Sequence, residues 1–307
     1  MMIIDSHAHV FQTIHGERQG LPTKSLASGM VGVGEGSFQF LPTSYQETSF
    51  PVEALVEAMD EVGVHKAVLL QNPVIGIINE EVKQAIKKFP GRFKGTIQVD
   101  PMDVNATEVI SFFASENQNT IKLEISEGWG WSGKHKGLSL TGDELMKIWE
   151  AANELGLRVI IDPGDILENG YQVANIQKIA SSFPGVKILV AHLGYMTAQH
   201  LNNPKAVEIR KNMLRLAREC KNVFFGLSAT AALLDEVYPC PLSISLFREA
   251  IDIMGANKLL WGTDIPTTFK KCSYQQMIDL VRIESTFLSP LEKEKILGLN
   301  ALTFFDF

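Results

Sequence analysis

Two histidines separated by one residue, His7 and His9, follow a short apolar run at the start of the 307-residue chain. Residues 1–4 read as a buried strand, and side chains at i and i+2 of an extended chain leave the same face. Both imidazoles would therefore project together and could converge on one cation, neutral imidazole being the commonest ligand for borderline divalent metals. A bare His-x-His also occurs at ordinary strand ends. What gives this one weight is Asp5 beside it and the ligand-type residues that close later apolar runs: Lys122 and Glu124, Asp162, His192, Ser228 and Asp264. Imidazoles and carboxylates hold divalent ions and pass protons to and from reacting groups.

Groups so far apart along the chain meet only if the elements carrying them end at one place. Apolar runs at 66–71, 93–99, 120–125, 158–161, 187–191, 223–227 and 258–261 join the first strand to give eight strands. Helical patterns at 51–62, 79–89, 105–116, 143–155, 171–183, 204–220, 243–254 and 274–287 alternate with them, with a shorter one at 291–299. Strict β-α alternation implies a parallel sheet with right-handed crossovers, and eight units fit a closed (β/α)8 TIM barrel. A doubly wound open sheet is the alternative, weakened because no Gly-x-Gly-x-x-Gly follows the first strand. The whole chain, 1–307, reads as one domain. Barrels of this kind carry chemistry at the C-terminal ends of their strands. Residues at ends 1, 5, 6 and 8 (His7 and His9, Asp162, His192, Asp264) could there surround one cation.

Residues 11–50 break the rhythm. They are rich in Gly, Pro, Ser and Thr and include Gly29-Met30-Val31-Gly32-Val33-Gly34-Glu35-Gly36. No Gly-Lys-Ser/Thr follows, so a phosphate-cradling loop is a poor reading. A long loop covering the active site is a better one.

Composition is that of an ordinary globular protein. A net charge of −7 and the absence of a Lys/Arg cluster argue against a nucleic-acid surface. No apolar run approaches the length needed to span a bilayer. Cys220, Cys240 and Cys272 are odd in number and far apart, as expected of reduced thiols rather than a disulfide framework or thiolate zinc site. With no basic-apolar leader, the expected location is cytoplasmic. A homodimer is the default for an enzyme of this size. His15, His65, His135 and His200 close no strand and read as surface residues.

The chain resembles the amidohydrolase superfamily, in particular its amidohydrolase-2 branch, which includes 2-amino-3-carboxymuconate-semialdehyde decarboxylase and related hydrolases. The matching pieces are Asp5-Ser6-His7-Ala8-His9, Phe89-Pro90-Gly91-Arg92-Phe93 through Val99-Asp100-Pro101, Ala191-His192-Leu193-Gly194, Trp261-Gly262-Thr263-Asp264-Ile265-Pro266 and the tail from Ile296 to Ala301. The resemblance implies that His7, His9 and Asp264 are metal ligands. It implies that His192 faces the reacting water or substrate as acid, base or electrostatic partner. The family usually presents a histidine at the end of strand 5, where this chain has Asp162. With Asp162 as a further ligand, two imidazoles and two carboxylates would neutralise a divalent ion. Zn²⁺ is the ion implied by the family, and the oxygen-rich set tilts preference toward Mn²⁺ or Mg²⁺. Alternatively, Asp162 caps the turn at Pro163-Gly164.

Lys122 and Glu124 share a strand face; a lysine there could hold a substrate carboxylate, or the two could form a salt bridge inside the barrel. Trp129 could wall the pocket. Three functions follow. The first is hydrolysis of a small amide, ester or lactone by metal-activated water, with Asp264 shuttling the proton and His192 stabilising the oxyanion. The second is metal-dependent, non-oxidative decarboxylation of an unsaturated or aromatic acid, with Lys122 on its carboxylate. The third is a barrel that only binds a ligand.

Overall fold

Apolar runs too short for helices become eight parallel strands in the computed structural model, which describes all 307 residues. In chain order the strands are β1 (Ile4–His9), β2 (Glu17–Arg18), β3 (Leu21–Ser25), β4 (Met30–Val33) and β5 (Gly36–Gln39). They continue with β6 (Lys66–Leu70), β7 (Phe93–Ile97), β8 (Thr120–Glu124), β9 (Arg158–Asp162), β10 (Ile188–Val190), β11 (Val223–Leu227) and β12 (Leu259–Trp261). The main sheet runs β1-β6-β7-β8-β9-β10-β11-β12. It closes into a barrel just beyond β12, where Ala8 bridges Ile265 and the His9 amide donates to the Ile265 carbonyl at 2.9 Å. The fold is a TIM barrel.

Helices Val52–Val62, Asn79–Lys88, Ala106–Ser115, Asp143–Glu154, Val173–Ser182, Pro204–Glu219 and Pro241–Met254 make the crossovers. Each turns an apolar stripe inward, as Leu145, Ile148, Trp149 and Ala152 do in Asp143–Glu154. That helix starts from Gly142 with no side-chain cap, so neither Thr141 nor Asp143 serves as one. The expected helix over 274–287 is α-helical only to Asp279 and continues as a π turn, Leu280–Glu284.

The first strand does not stop at residue 4. It extends through His9, so the two histidines lie within β1, His7 inside an irregularity in its pairing with β6 between Asp5 and Ala8 and His9 just past it. Backbone pairing to β6 on one side and the bridge to Ile265 on the other, rather than side-chain hydrophobicity, carry the strand that far.

Residues 11–50 are not without strands. β2 to β5 form a separate antiparallel sheet, and the glycine run is its β4–β5 hairpin, turning at Gly34 with φ of 54°. Alternating Val31, Val33 and Phe38 give it one side that packs on the body, and Phe40 carries the chain back toward the barrel mouth.

At the opposite end Phe304 and Phe305, on a terminal helix (Asn300–Phe305), plug the barrel over Ile4, Val68, Ile160, Leu189 and Leu260. The barrel interior therefore grades from an apolar floor to a charged rim.

Candidate metal centre and active site

Three strand ends converge at the rim. Asp264 follows β12, and its Oδ1 lies 3.0 Å from His9 Nε2 and 3.3 Å from His7 Nε2. The backbone fixes this approach: the Asp264 amide donates to the His7 carbonyl at 2.7 Å. Gly262 lets the chain come that close, since a Cβ there would lie 2.8 Å from His7 Cβ and 2.9 Å from Ser6 Oγ. Asp264 sits at φ of 63°, His192 at 55° and Ala229 at 56°, a left-handed backbone that costs non-glycine residues of the order of 1–3 kcal/mol and clusters at functional sites.

Asp5 lies beneath, fully buried, and ties β1 to the loop after β12. It accepts from Thr263 Oγ1 (2.5 Å), Tyr274 OH (2.8 Å) and the amides of His7 and Thr263 (3.0 Å each). Burial outweighs these bonds and raises its pKa to about 6.

The donor set suits a cation. His9 Nδ1 lies 3.0 Å from the Leu70 carbonyl and its Nε2 lies 3.0 Å from Asp264 Oδ1, so the backbone turns the ring with Nε2 toward the carboxylate. This backbone-oriented imidazole is the arrangement usual for metal-ligating histidines. Burial lowers the pKa of His7 to about 3, Asp264 pulling the other way, so His7 is neutral. Burial also opposes the Asp264 charge, but hydrogen bonds to His7 and His9 hold its pKa well below the usual carboxylate range. Two imidazole nitrogens and one carboxylate oxygen thus face each other. His7, His192 and Asp264 also offer ligand atoms all within 4.8 Å of one another.

Asp162 stands outside that trio. Its Oδ2 accepts from His192 Nε2 at 2.9 Å and its Oδ1 from the Gly164 amide at 3.1 Å. The other ring nitrogen of His192 meets Ser228 Oγ at 3.0 Å. Burial works against the imidazolium, yet Asp162 and then Asp264 hold the His192 pKa at about 9. Burial likewise opposes the Asp162 charge, and His192 and Lys122 override it to keep its pKa low.

Lys122 is buried and spends its charge locally, 2.7 Å from Glu124 Oε2 and 3.9 Å from Asp162 Oδ2. Burial and the neighbouring Asp162 push Glu124 up to about 7, against the pull of Lys122.

These groups border a cavity at the mouth, lined by His7, His9, Glu124, Trp129, Asp162, His192 and Asp264. Lys122 is not among the lining residues. Phe40, Asn72, Tyr195 and Thr267 also line it and were not singled out from sequence. Tyr195 follows His192 by three residues, and proximity to a strand-end histidine was the one signal that could have found it. Of the histidines read as surface residues, His200 is buried against Thr197, and His135 is bonded to Asp100 at 2.8 Å. Both lie in loops that fold back on the barrel.

A family model described as amidohydrolase matches residues 4–307. The chain belongs to the amidohydrolase family. No curated protein matches it. Among solved structures, this amidohydrolase is similar to a protein of Acinetobacter baumannii described as a probable 2-pyrone-4,6-dicarboxylic acid hydrolase with citric acid bound, at 20% identity and TM-score 0.72 over 100% of both chains. It is also similar to an amidohydrolase of Burkholderia multivorans with bound zinc, at 14% identity and TM-score 0.68 over 100% of this chain and 99% of that one. A third is 5-carboxyvanillate decarboxylase of Sphingomonas paucimobilis, at 18% identity and TM-score 0.55 over 82% of each chain. At such identities these likenesses speak for the fold. The amidohydrolase family is metal-dependent, so this member is a metal-dependent enzyme, and no helix in it is long and apolar enough to cross a membrane.

Proposed function

We propose that this amidohydrolase hydrolyses a small ester, above all a cyclic one, with a divalent ion held by His7, His9 and Asp264. The observation that supports this most is the pair of imidazole Nε2 atoms turned on one Asp264 oxygen, 3.0 and 3.3 Å away. Such an ion, Zn²⁺ by family likeness, polarises the scissile carbonyl and lowers the pKa of water when bound.

The side chains supply the rest. Asp264 Oδ1 is turned to the imidazoles, and Oδ2 has no partner and is free to take the proton of the attacking water and return it to the leaving oxygen. The His192 imidazolium, fixed between Asp162 and Ser228, puts positive charge where the carbonyl oxygen becomes negative. Asp162 serves better as the anchor of His192 than as a ligand, since both its oxygens are already engaged. Trp129 and Phe40 wall the cavity, so the insertion that carries Phe40 excludes water from one side.

Two likenesses favour acids as substrates: the A. baumannii protein is described as acting on a 2-pyrone dicarboxylic acid, whose ring is a cyclic ester, and the S. paucimobilis enzyme decarboxylates 5-carboxyvanillate. The second keeps decarboxylation as the rival reading. Lys122 argues against it, because the residue expected to hold the departing carboxylate is occupied by Glu124. The test is turnover of the metal-loaded protein on a panel of lactones, aryl esters and aromatic acids, followed by acid release and by CO₂. Lactone or ester opening, lost in H192N and D264N, is expected. Release of CO₂ without ester or lactone opening would overturn the reading.

A further inference from the structure

We propose that Arg18, supplied by the insertion sheet, is a substrate-binding residue that grips a carboxylate remote from the scissile bond. The substrate is then an anionic, planar ester or lactone. This deepens the hydrolase reading and rests on it only for where the reacting carbonyl sits.

Of the eight arginines, five pair with a carboxylate: Arg92, Arg158, Arg210, Arg215 and Arg282. Arg218 and Arg248 are exposed. Arg18 is half-buried and has no acidic partner. A guanidinium partly stripped of water and left without a counter-ion is costly unless something repays it.

Its pose is fixed in advance. The guanidinium carbon lies 4.2 Å from the centre of the Trp129 ring and 4.9 Å from that of Phe38, and those two rings meet edge to face. Nε donates to the Gly128 carbonyl at 2.9 Å. Neither terminal nitrogen has a protein partner, which leaves free the fork that suits a planar carboxylate. Trp129 is itself a wall of the cavity, and Arg18, not a lining residue, stacks on that wall. The charge thus stands against the Trp129 wall of the cavity. A flat acid with its ester at the centre and a carboxylate on the far side of its ring would meet both the guanidinium and the His7–His9–Asp264 group.

The test uses two non-hydrolysable probes, isophthalate and benzoate, with calorimetric titration of the metal-loaded wild type, R18M and R18K. Isophthalate should bind the wild type about tenfold to a hundredfold more tightly than benzoate, as expected of one charge-assisted bidentate contact. R18M should erase that preference. R18K, which keeps the charge but not the fork or the stack, should restore only part of it. Unaltered circular dichroism and thermal midpoint guard against misfolding. A preference that survives in R18M, or a wild type that binds the two acids equally or not at all, would overturn the proposal. Because the readout is binding, it stands apart from any failure to detect ester or lactone opening.

Discussion

Replacing Asp162 by Asn would remove the charge beside His192 while leaving an oxygen for its Nε2–H. In the wild type the two groups are 2.9 Å apart, and burial opposes the imidazolium whose pKa Asp162 holds at about 9. Opposite charges 3–4 Å apart attract by about 4–6 kcal/mol at an effective dielectric constant of about 20. At about 1.4 kcal/mol per pH unit, losing that attraction lowers the His192 pKa by roughly three units or more, to about 6 or below. Stability should follow. The folded pKa lies above the ordinary value of 6.5, so the stabilisation is fully present below that pH and is lost as pH rises to about 9. Over that window chelator-treated wild type should lose about 3 kcal/mol and D162N almost none. The assay is NMR titration of the His192 ring Cε1–H, paired with urea unfolding at either end of the window. A His192 that titrates within one unit of wild type in D162N, or an unchanged pH dependence of unfolding, would refute the pairing.

Asp5→Ala strands four donors around a fully buried cavity. At about 1–3 kcal/mol per orphaned buried donor, with some relaxation, the loss should reach about 3–5 kcal/mol in urea unfolding; a loss under about 1 kcal/mol would mean water replaces the carboxylate at no cost. Gly262→Ala drives a Cβ to within 3.0 Å of the His7 backbone nitrogen. Overpacking of that kind costs about 1–3 kcal/mol, so this variant should unfold at lower temperature and hold its metal about tenfold more weakly in a chelator competition, because the strain falls on a ligand-bearing residue.

The barrel was legible because each strand is a short apolar run closed by a polar, charged or glycine residue; Val223–Leu227 matches to the residue. The site residues at ends 1, 5, 6 and 8 were legible because a parallel barrel brings every strand end to one rim, and the cavity lining includes all five of them. Pairings were not legible. That Asp162 turns to His192 while Asp264 turns to His7 and His9 depends on the left-handed turns after β10 and β12, and these place side chains in ways no periodicity encodes. Lys122 illustrates the same limit: alternation put it beside Glu124, and only packing decided that the two neutralise each other. The insertion was misjudged as lacking strands because its pairs are two to five residues long and built on glycine. Arg18 passed unnoticed because nothing around it in sequence indicates Trp129, more than a hundred residues away.

Metal content measured by plasma mass spectrometry, after reconstitution and exhaustive dialysis, tests the central claim most directly. The wild type should retain one divalent ion per chain, and H7A, H9A and D264N should each retain far less while remaining folded. A wild type that keeps none, or three variants that keep as much as the wild type, would contradict it.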